Sequence, residues 1–384
     1  MNNRIGRQLK LWIGCAAVLP ILAACASESG DSASNSEAGD TQSTVSSSLD
    51  ADLGRIAVNL TTSRSSLAAQ EGVSVTVTLT NNASHSVRLL KWNTPVDGIR
   101  EPLFVVTRDG EAVQYNGRHY KRPAPRAKDY VTLAAGESLT RTVDLAEAYD
   151  LSITGNYTVH FRADPAHASN SIGAEGLAQG TELVSNEIAL WAEGRPSARA
   201  AAAQADAVSP SLGTISYSGG CTASEKTALS TALNGASTYA NGALNYLTNT
   251  TPGSTARYTT WFGAYTSSRW STAKTHYTKI KSAYDTQNFT LDCSCADDYY
   301  AYVYPDQPYK VYLCNAFWSA PQTGTDSKAG TLVHETSHFN VTAGTDDNAY
   351  GQSACKSLAK SSPTQALDNA DSHEYFAENT PAQN

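Results

Sequence analysis

The sequence predicts a multidomain chain, with an all-β unit in its first half and a mainly α (α+β) unit in its last third. Three observations carry this. From about 51 to 194, short runs of alternating apolar and polar residues are broken by turn signals. From about 216 onwards, apolar residues recur at helical spacing. Between these lies an Ala-rich stretch, 195–215, with no apolar periodicity. The chain has 384 residues, 41% of them hydrophobic, which is enough apolar material for more than one core.

Taken in order, the first 25 residues read as an export signal. Arg4, Arg7 and Lys10 make a basic start, and an apolar run follows over 11–24, short for a membrane span. It ends in Leu22-Ala23-Ala24-Cys25, the form of a bacterial lipoprotein box, which makes Cys25 a lipidation candidate; the simpler reading is an ordinary signal peptide cut nearby. Residues 26–50 are Ser, Ala, Asp, Gly and Glu with almost no large apolar side chains, and are expected to form a flexible tether.

Residues 51–194 carry β-rich runs at 73–79, 87–92, 103–107, 138–143, 157–161 and 187–191. Asn81-Asn82, Asp109-Gly110, Ala135-Gly136 and Gly155-Asn156 separate several of them. Many short strands at this spacing predict an Ig-like antiparallel sandwich, and nothing in it has catalytic spacing. One loop stands out: Arg118, Lys121, Arg122, Arg126 and Lys128 fall between Gly117 and Asp129. By itself such a run predicts a solvated basic loop. Residues 195–215, with Arg195 and Arg199, suit proteolytic processing.

Beyond 216, helical spacing appears over 224–247, with Ser224 or Thr222 as cap, and over 270–284. Short β-like runs follow at 301–304 and 310–313, then a helix over 328–340 and one or two more over 363–379. Seven cysteines are present; Cys15 and Cys25 lie in the signal region, leaving Cys221, Cys293, Cys295, Cys314 and Cys355. An exported chain meets oxidising conditions, so disulfides are expected and at least one thiol is left over. A single residue separates Cys293 from Cys295, which suggests that each is tied elsewhere, and the absence of a Cys-x-x-Cys pair excludes a zinc ribbon. The net charge of −8 argues against nucleic acid as the main partner.

His334-Glu335-Thr336-Ser337-His338 is the informative motif. On a helix, positions i and i+4 share a face, so both imidazoles can converge on one ion, with Glu335 reaching water on its open side. Zinc suits two neutral imidazoles and an oxygen ligand. The third ligand is open on spacing alone. Asp346 and Asp347 follow within a turn flanked by Gly344 and Gly351, while His373 and Glu374 lie downstream, where other zinc peptidases place a Glu ligand.

The pairing of His-Glu-x-x-His with Gly-Thr-x-Asp-x-x-Tyr-Gly over 344–351 resembles the aspzincins, the deuterolysin and peptidyl-Lys metalloendopeptidase group. Residues 257–263, 301–305, 311–314, 317–318 and 369–376 look like the peptidyl-Lys branch, so the resemblance covers essentially all of 216–384. It implies a zincin-type metalloprotease domain with one Zn2+ on His334, His338 and Asp347, Glu335 as base, and Tyr350 donating to the oxyanion. Asp371 and Glu374 would line a pocket for a lysine just after the scissile bond. It implies disulfides Cys221–Cys293 and Cys295–Cys314, with no partner for Cys355. Residues 51–194 are similar, less distinctively, to the propeptides of bacterial members. The whole then reads as a secreted zinc endopeptidase made as a latent proenzyme, its substrates proteins or peptides. The precursor is held to the envelope only if Cys25 is lipidated. The propeptide would then assist folding and inhibit in cis, and as an alternative to a solvated loop the basic segment around Lys121 and Lys128 could dock near Asp371 and Glu374. Two competing readings are a zinc peptidase with Glu374 as third ligand, and an exported surface-binding protein with an inactive zinc domain.

Overall fold

The computed structural model describes residues 55–163, 182–195 and 214–383. The segments expected to be the signal peptide, the tether and most of the processing linker, with Cys25, lie outside the described residues.

The N-terminal region is β-rich. In chain order its strands are β1 (Ile56–Thr61), β2 (Ser66–Leu67), β3 (Ser74–Asn81), β4 (Val87–Leu90), β5 (Phe104–Arg108), β6 (Glu111–Ala112), β7 (His119–Lys121), β8 (Tyr130–Leu133), β9 (Ser138–Asp144), β10 (Gly155–Ala163), β11 (Leu183–Val184) and β12 (Ile188–Ala192). Period-two alternation sets the inward face of β3, where Val75, Val77 and Leu79 are fully buried. Its other face carries Thr76, Thr78 and Thr80, whose hydroxyls pair across to Thr142, Thr140 and Ser138 on β9. One sheet runs β1-β3-β9 and another β2-β12-β10-β5-β6, with β11 on β10. Both contribute to a single apolar core that includes Leu79, Phe104, Val159 and Phe161.

The C-terminal region comprises β13 (Ile215–Ser218), α1 (Ala223–Asn249), α2 (Ala256–Phe262), α3 (Ser267–Thr286), β14 (Phe289–Asp292), β15 (Ala301–Val303), β16 (Lys310–Leu313), α4 (Asn315–Ser319), α5 (Lys328–His338), α6 (Gly351–Ser361), α7 (Pro363–Leu367) and α8 (Ala370–Glu378). A capping box starts α1: the Thr222 hydroxyl accepts from the Glu225 amide, and the Glu225 carboxylate accepts from that of Thr222. The small buried face of α1 (Ala232, Ala236, Ala240, Ala243) lets α3 and α5 pack closely against it. Disulfides join Cys221 to Cys293 and Cys295 to Cys314, and Cys355 is a buried free thiol. No described helix is long and apolar enough to cross a membrane.

The two regions meet through a shared sheet, ordered β13-β14-β16-β15-β7. Its last strand, β7, comes from the N-terminal region and runs antiparallel to β15, with His119 opposite Val303, Tyr120 opposite Tyr302 and Lys121 opposite Ala301. The unpaired edge that β15 would otherwise present is satisfied by chain from 180 residues upstream. This corrects the expectation of a solvated basic loop. Lys121 and Arg122 are buried at 1% and 3% exposure: Asp371 and Glu374 of the C-terminal region receive Lys121, while Arg122 pairs with Glu101 of its own region and packs on Trp92, Tyr120 and the C-terminal Tyr299. Arg126 and Lys128 do stay exposed, both paired with Asp298.

Candidate active site

Helix α5 positions the motif. Ser327 caps it, its hydroxyl accepting from the Gly330 amide, and the Glu378 carboxylate accepts the Ser327 amide and hydroxyl. The helix is buried throughout, which the polar character of His334, Glu335 and His338 would not permit without partners. Gly330 allows α8 to approach: a Cβ there would lie 2.0 Å from the Glu378 carboxylate and 2.9 Å from that of Glu374.

After α5 the chain reverses and returns. Gly344 and Gly351 hold φ of +62° and +81°, conformations that favour glycine. Asp346 bonds through its backbone to Asp368 and Ala370, and the Asn369 side chain accepts the Ala349 amide. These bonds fix Asp347 over the imidazoles. Its Oδ1 lies 3.2 Å from His334 Nε2 and 3.5 Å from His338 Nε2.

Those three atoms are buried and none makes a hydrogen bond of acceptable geometry. Buried polar atoms are seldom left this way, and here three converge, two imidazole nitrogens and a carboxylate oxygen. That donor set fits zinc. On the opposite ring edges, His338 Nδ1 donates to the Thr345 carbonyl at 2.7 Å, and His334 Nδ1 faces Asp371 Oδ1 at an ion-pair distance of 2.8 Å. Anchors of this kind fix the tautomer and aim the free nitrogen at the ion.

Charges follow the same geometry. Burial pushes Asp347 up, but His338 and His334 outweigh it and hold the carboxyl below the usual range. Burial pulls His338 down to about 3. It also opposes charge on His334, yet Asp347 and Asp371 raise that imidazole to about 10. Burial raises Glu335 to about 8, against the favourable fields of His334 and Lys121.

Beside this cluster, α8 directs Asp371 and Glu374 into one fully buried pocket. Both hold the ammonium of Lys121, at 2.9 and 2.7 Å, with all three side chains 1% exposed or less. The Lys121 backbone N–H points at Glu335 Oε1, 3.3 Å away, and the Tyr120 N–H donates to Asp347 Oδ2 at 3.1 Å. Tyr350 directs its hydroxyl to Glu101 of the N-terminal region at 3.4 Å. Glu101 in turn pairs with the buried Arg122, which lies over Trp92, Tyr120 and Tyr299.

His334, His338, Asp347, Glu335, Asp371 and Glu374 therefore come together, with Tyr350 at the rim. His373 does not join them: it faces His276 at 3.0 Å and the Asn369 carbonyl. Asp346 is turned aside, half-exposed. Glu374 lies on the Nδ1 side of His334, at 3.5 Å, away from the nitrogen that faces His338 and Asp347. His334, Asp371 and Glu374 do form a second group with metal-like spacing, but its cation is the Lys121 ammonium. Sequence reasoning missed the close approach of Asp371 to His334, and that of Glu101, His119 and Tyr120 to the site. The acid's proximity to the motif depends on how α8 crosses α5, which no local spacing records.

The chain is similar to several known proteins. The model of the aspzincin family, described as lysine-specific metallo-endopeptidase, matches residues 247–378. An extracellular protease of Aeromonas hydrophila is 49% identical over 319 residues, 82% of this chain and 90% of that protein. A peptidyl-Lys metalloendopeptidase of Grifola frondosa is 39% identical over 322 residues, 80% of this chain and 88% of that one. The solved zinc peptidase from Grifola frondosa aligns at 52% identity with a TM-score of 0.40, covering 43% of this chain and all of its own. Similar over four-fifths of its length to such relatives, the chain belongs to the aspzincin family of zinc metalloendopeptidases.

Proposed function

We propose that this protein cleaves peptide bonds on the N-terminal side of lysine, and that it is made as a latent proenzyme blocked by its own N-terminal region. One observation carries the reading. Lys121 occupies the Asp371–Glu374 pocket on a strand paired to β15, with its backbone nitrogen facing Glu335. A substrate lysine just after the scissile bond would be held the same way. Two carboxylates around one dry pocket favour the compact ammonium of lysine over the planar fork of arginine.

His334, His338 and Asp347 are the residues that would hold the zinc, which when bound supplies Lewis-acid activation of water and of the substrate carbonyl. Glu335 takes the proton of the attacking water and passes it to the leaving amine; the proximity of its Oε1 to the Lys121 nitrogen supports that second role. Tyr350, freed from Glu101, donates its hydroxyl to the carbonyl oxygen as charge develops there. The antiparallel pairing to β15 orients the substrate backbone.

In this reading 51–194 is an Ig-like propeptide, 195–215 the processing linker and 216–384 the mature enzyme. Export is supported by the basic-then-apolar leader and by the extracellular relative. A lipid on Cys25 would tether only the precursor, since processing near 195–215 leaves that anchor behind. An inactive surface-binding protein would be expected to lack one of Glu335, His334, His338 and Asp347; all are present and gathered. The test is a digest of a defined protein by processed enzyme, with the new N-termini read by mass spectrometry. They are expected to begin with lysine; hydrolysis at unrelated residues would reject the specificity.

A further inference from the structure

A strand that presents lysine to the correct pocket and its amide to the general base should be a good substrate. Its persistence as an inhibitor needs a cause, and the residue before Tyr120 supplies one. His119 is buried at 3% exposure on β7. A ring nitrogen of His119 lies within 4.8 Å of the ligand atoms of both His338 and Asp347, the same spacing that marks a metal-binding group. Its Nδ1 is 4.0 Å from Asp347 Oδ2, and its ring packs on that of His338 with centroids 4.6 Å apart. The Tyr115 ring, 5.3 Å away, backs it from the other side. Two ligand atoms on a tetrahedral zinc sit roughly 3.4 Å apart, so the group is wider than a filled zinc site and the imidazole would draw inwards to coordinate.

We propose that His119 is a fourth ligand of the zinc in the uncleaved protein, supplied by the N-terminal region. This rests on the reading of His334, His338 and Asp347 as the zinc site. The lock is then double. Lys121 fills the specificity pocket, and His119 takes the coordination position that the attacking water needs. The Tyr120–Lys121 bond lies over Glu335 without a nucleophile to break it. Removal of the N-terminal region opens both positions at once, because the two residues lie on one strand.

X-ray absorption at the zinc edge tests this on the full chain carrying Glu335→Gln, which prevents self-cleavage. The parent is expected to show three imidazoles around zinc. With His119→Phe, which keeps a ring against His338 and Tyr115, the count falls to two. With His119→Cys, a sulfur appears at about 2.3 Å. The cysteine variant adds a signal rather than removing one, so it does not depend on an intact wild-type count. Zinc bound with two imidazoles in parent and His119→Phe alike, and no sulfur in His119→Cys, would overturn the proposal while leaving the zinc site itself standing. A chain that binds no zinc would instead defeat the underlying reading. A second measurement uses the chain with Glu335 intact. There His119→Phe is expected to admit water and be cut between Tyr120 and Lys121, one water adding across the amide to leave a Tyr120 carboxylate and a Lys121 amine. Survival of that bond in His119→Phe for as long as in the parent would count against His119 as the block.

Discussion

Replacing Lys121 by methionine removes the ammonium and leaves most of the side-chain volume. In the closed protein the ammonium lies 2.9 Å from Asp371 and 2.7 Å from Glu374, and water reaches none of the three. Removing one partner of a buried ion pair costs roughly 3–5 kcal/mol, because the remaining charge is stranded. Asp371 is the group stranded: burial pushes it up, but Lys121 and His334 together hold it down and charged. Burial pushes Glu374 up, which places the loss towards the lower end of that range. At about 1.4 kcal/mol per factor of ten, the closed-to-open ratio should fall roughly a hundredfold or more. The assay is the affinity of a fluorescent lysine-containing peptide for the full chain carrying Glu335→Gln. With a competing internal strand, the apparent Kd is the intrinsic Kd divided by the fraction of sites left open. Lys121→Met should therefore tighten peptide binding by up to about a hundredfold, limited by the affinity of the processed domain. Lys121→Arg should fall between, since the charge survives but the fork fits the pocket poorly. Equal peptide affinity for parent and Lys121→Met, with zinc bound in both, would refute the pocket as the seat of inhibition.

Glu335→Gln in the processed enzyme should lower kcat by roughly 10²–10⁴, the range for loss of a general base, while zinc content by mass spectrometry stays unchanged. The disulfides should contribute unequally to stability. Cys221–Cys293 closes a separation of 72 residues and Cys295–Cys314 one of 19. Loop entropy alone gives about 4 and about 3 kcal/mol, so Cys221→Ala/Cys293→Ala should lower the unfolding midpoint more in a denaturant titration. Acid should destabilise the C-terminal region through the half-buried His276 and the buried His373 that it faces. Burial lowers His276 to about 4, and burial with the field of His276 lowers His373 to about 3. A depressed folded-state value means stability is present above about pH 6.5 and is lost as pH falls through the folded values. His276→Gln keeps a partner for His373 but removes one titration, so stability against pH between about 6.5 and 4 should flatten by about 1.4 kcal/mol per unit. An unchanged slope would show that His276 is not held neutral.

Much of this was legible in the sequence because it depends on local pattern. The i,i+4 histidines, the glycines bracketing Asp347 and the alternation of β3 each fix a local conformation that packing then uses. The helix over 351–361 was not legible, because its opening residue, Gly351, marks the end of the returning turn and its apolar positions are small. Strands β13 and β14 were missed for a related reason: each has four residues and pairs in parallel with neighbours distant in the chain. The basic segment around Lys121 reads as a solvated loop because nothing near it in sequence neutralises it. Its partners, Asp371 and Glu374, lie some 250 residues away, and the edge of β15 that pairs with its strand lies some 180 away. A docking expectation arises only once the acidic pair is assigned to a lysine pocket. Burial of Arg122 against Glu101 and three aromatic rings, and the approach of His119 to His338, have no counterpart in residue spacing at all.

The account stands on three side chains sharing one metal ion. Zinc in the processed C-terminal region, which lacks His119, should be one per molecule, lost in Asp347→Ala and retained in Glu374→Ala. Zinc that survives removal of Asp347 but disappears with Glu374 would contradict the assigned site and the lysine pocket together.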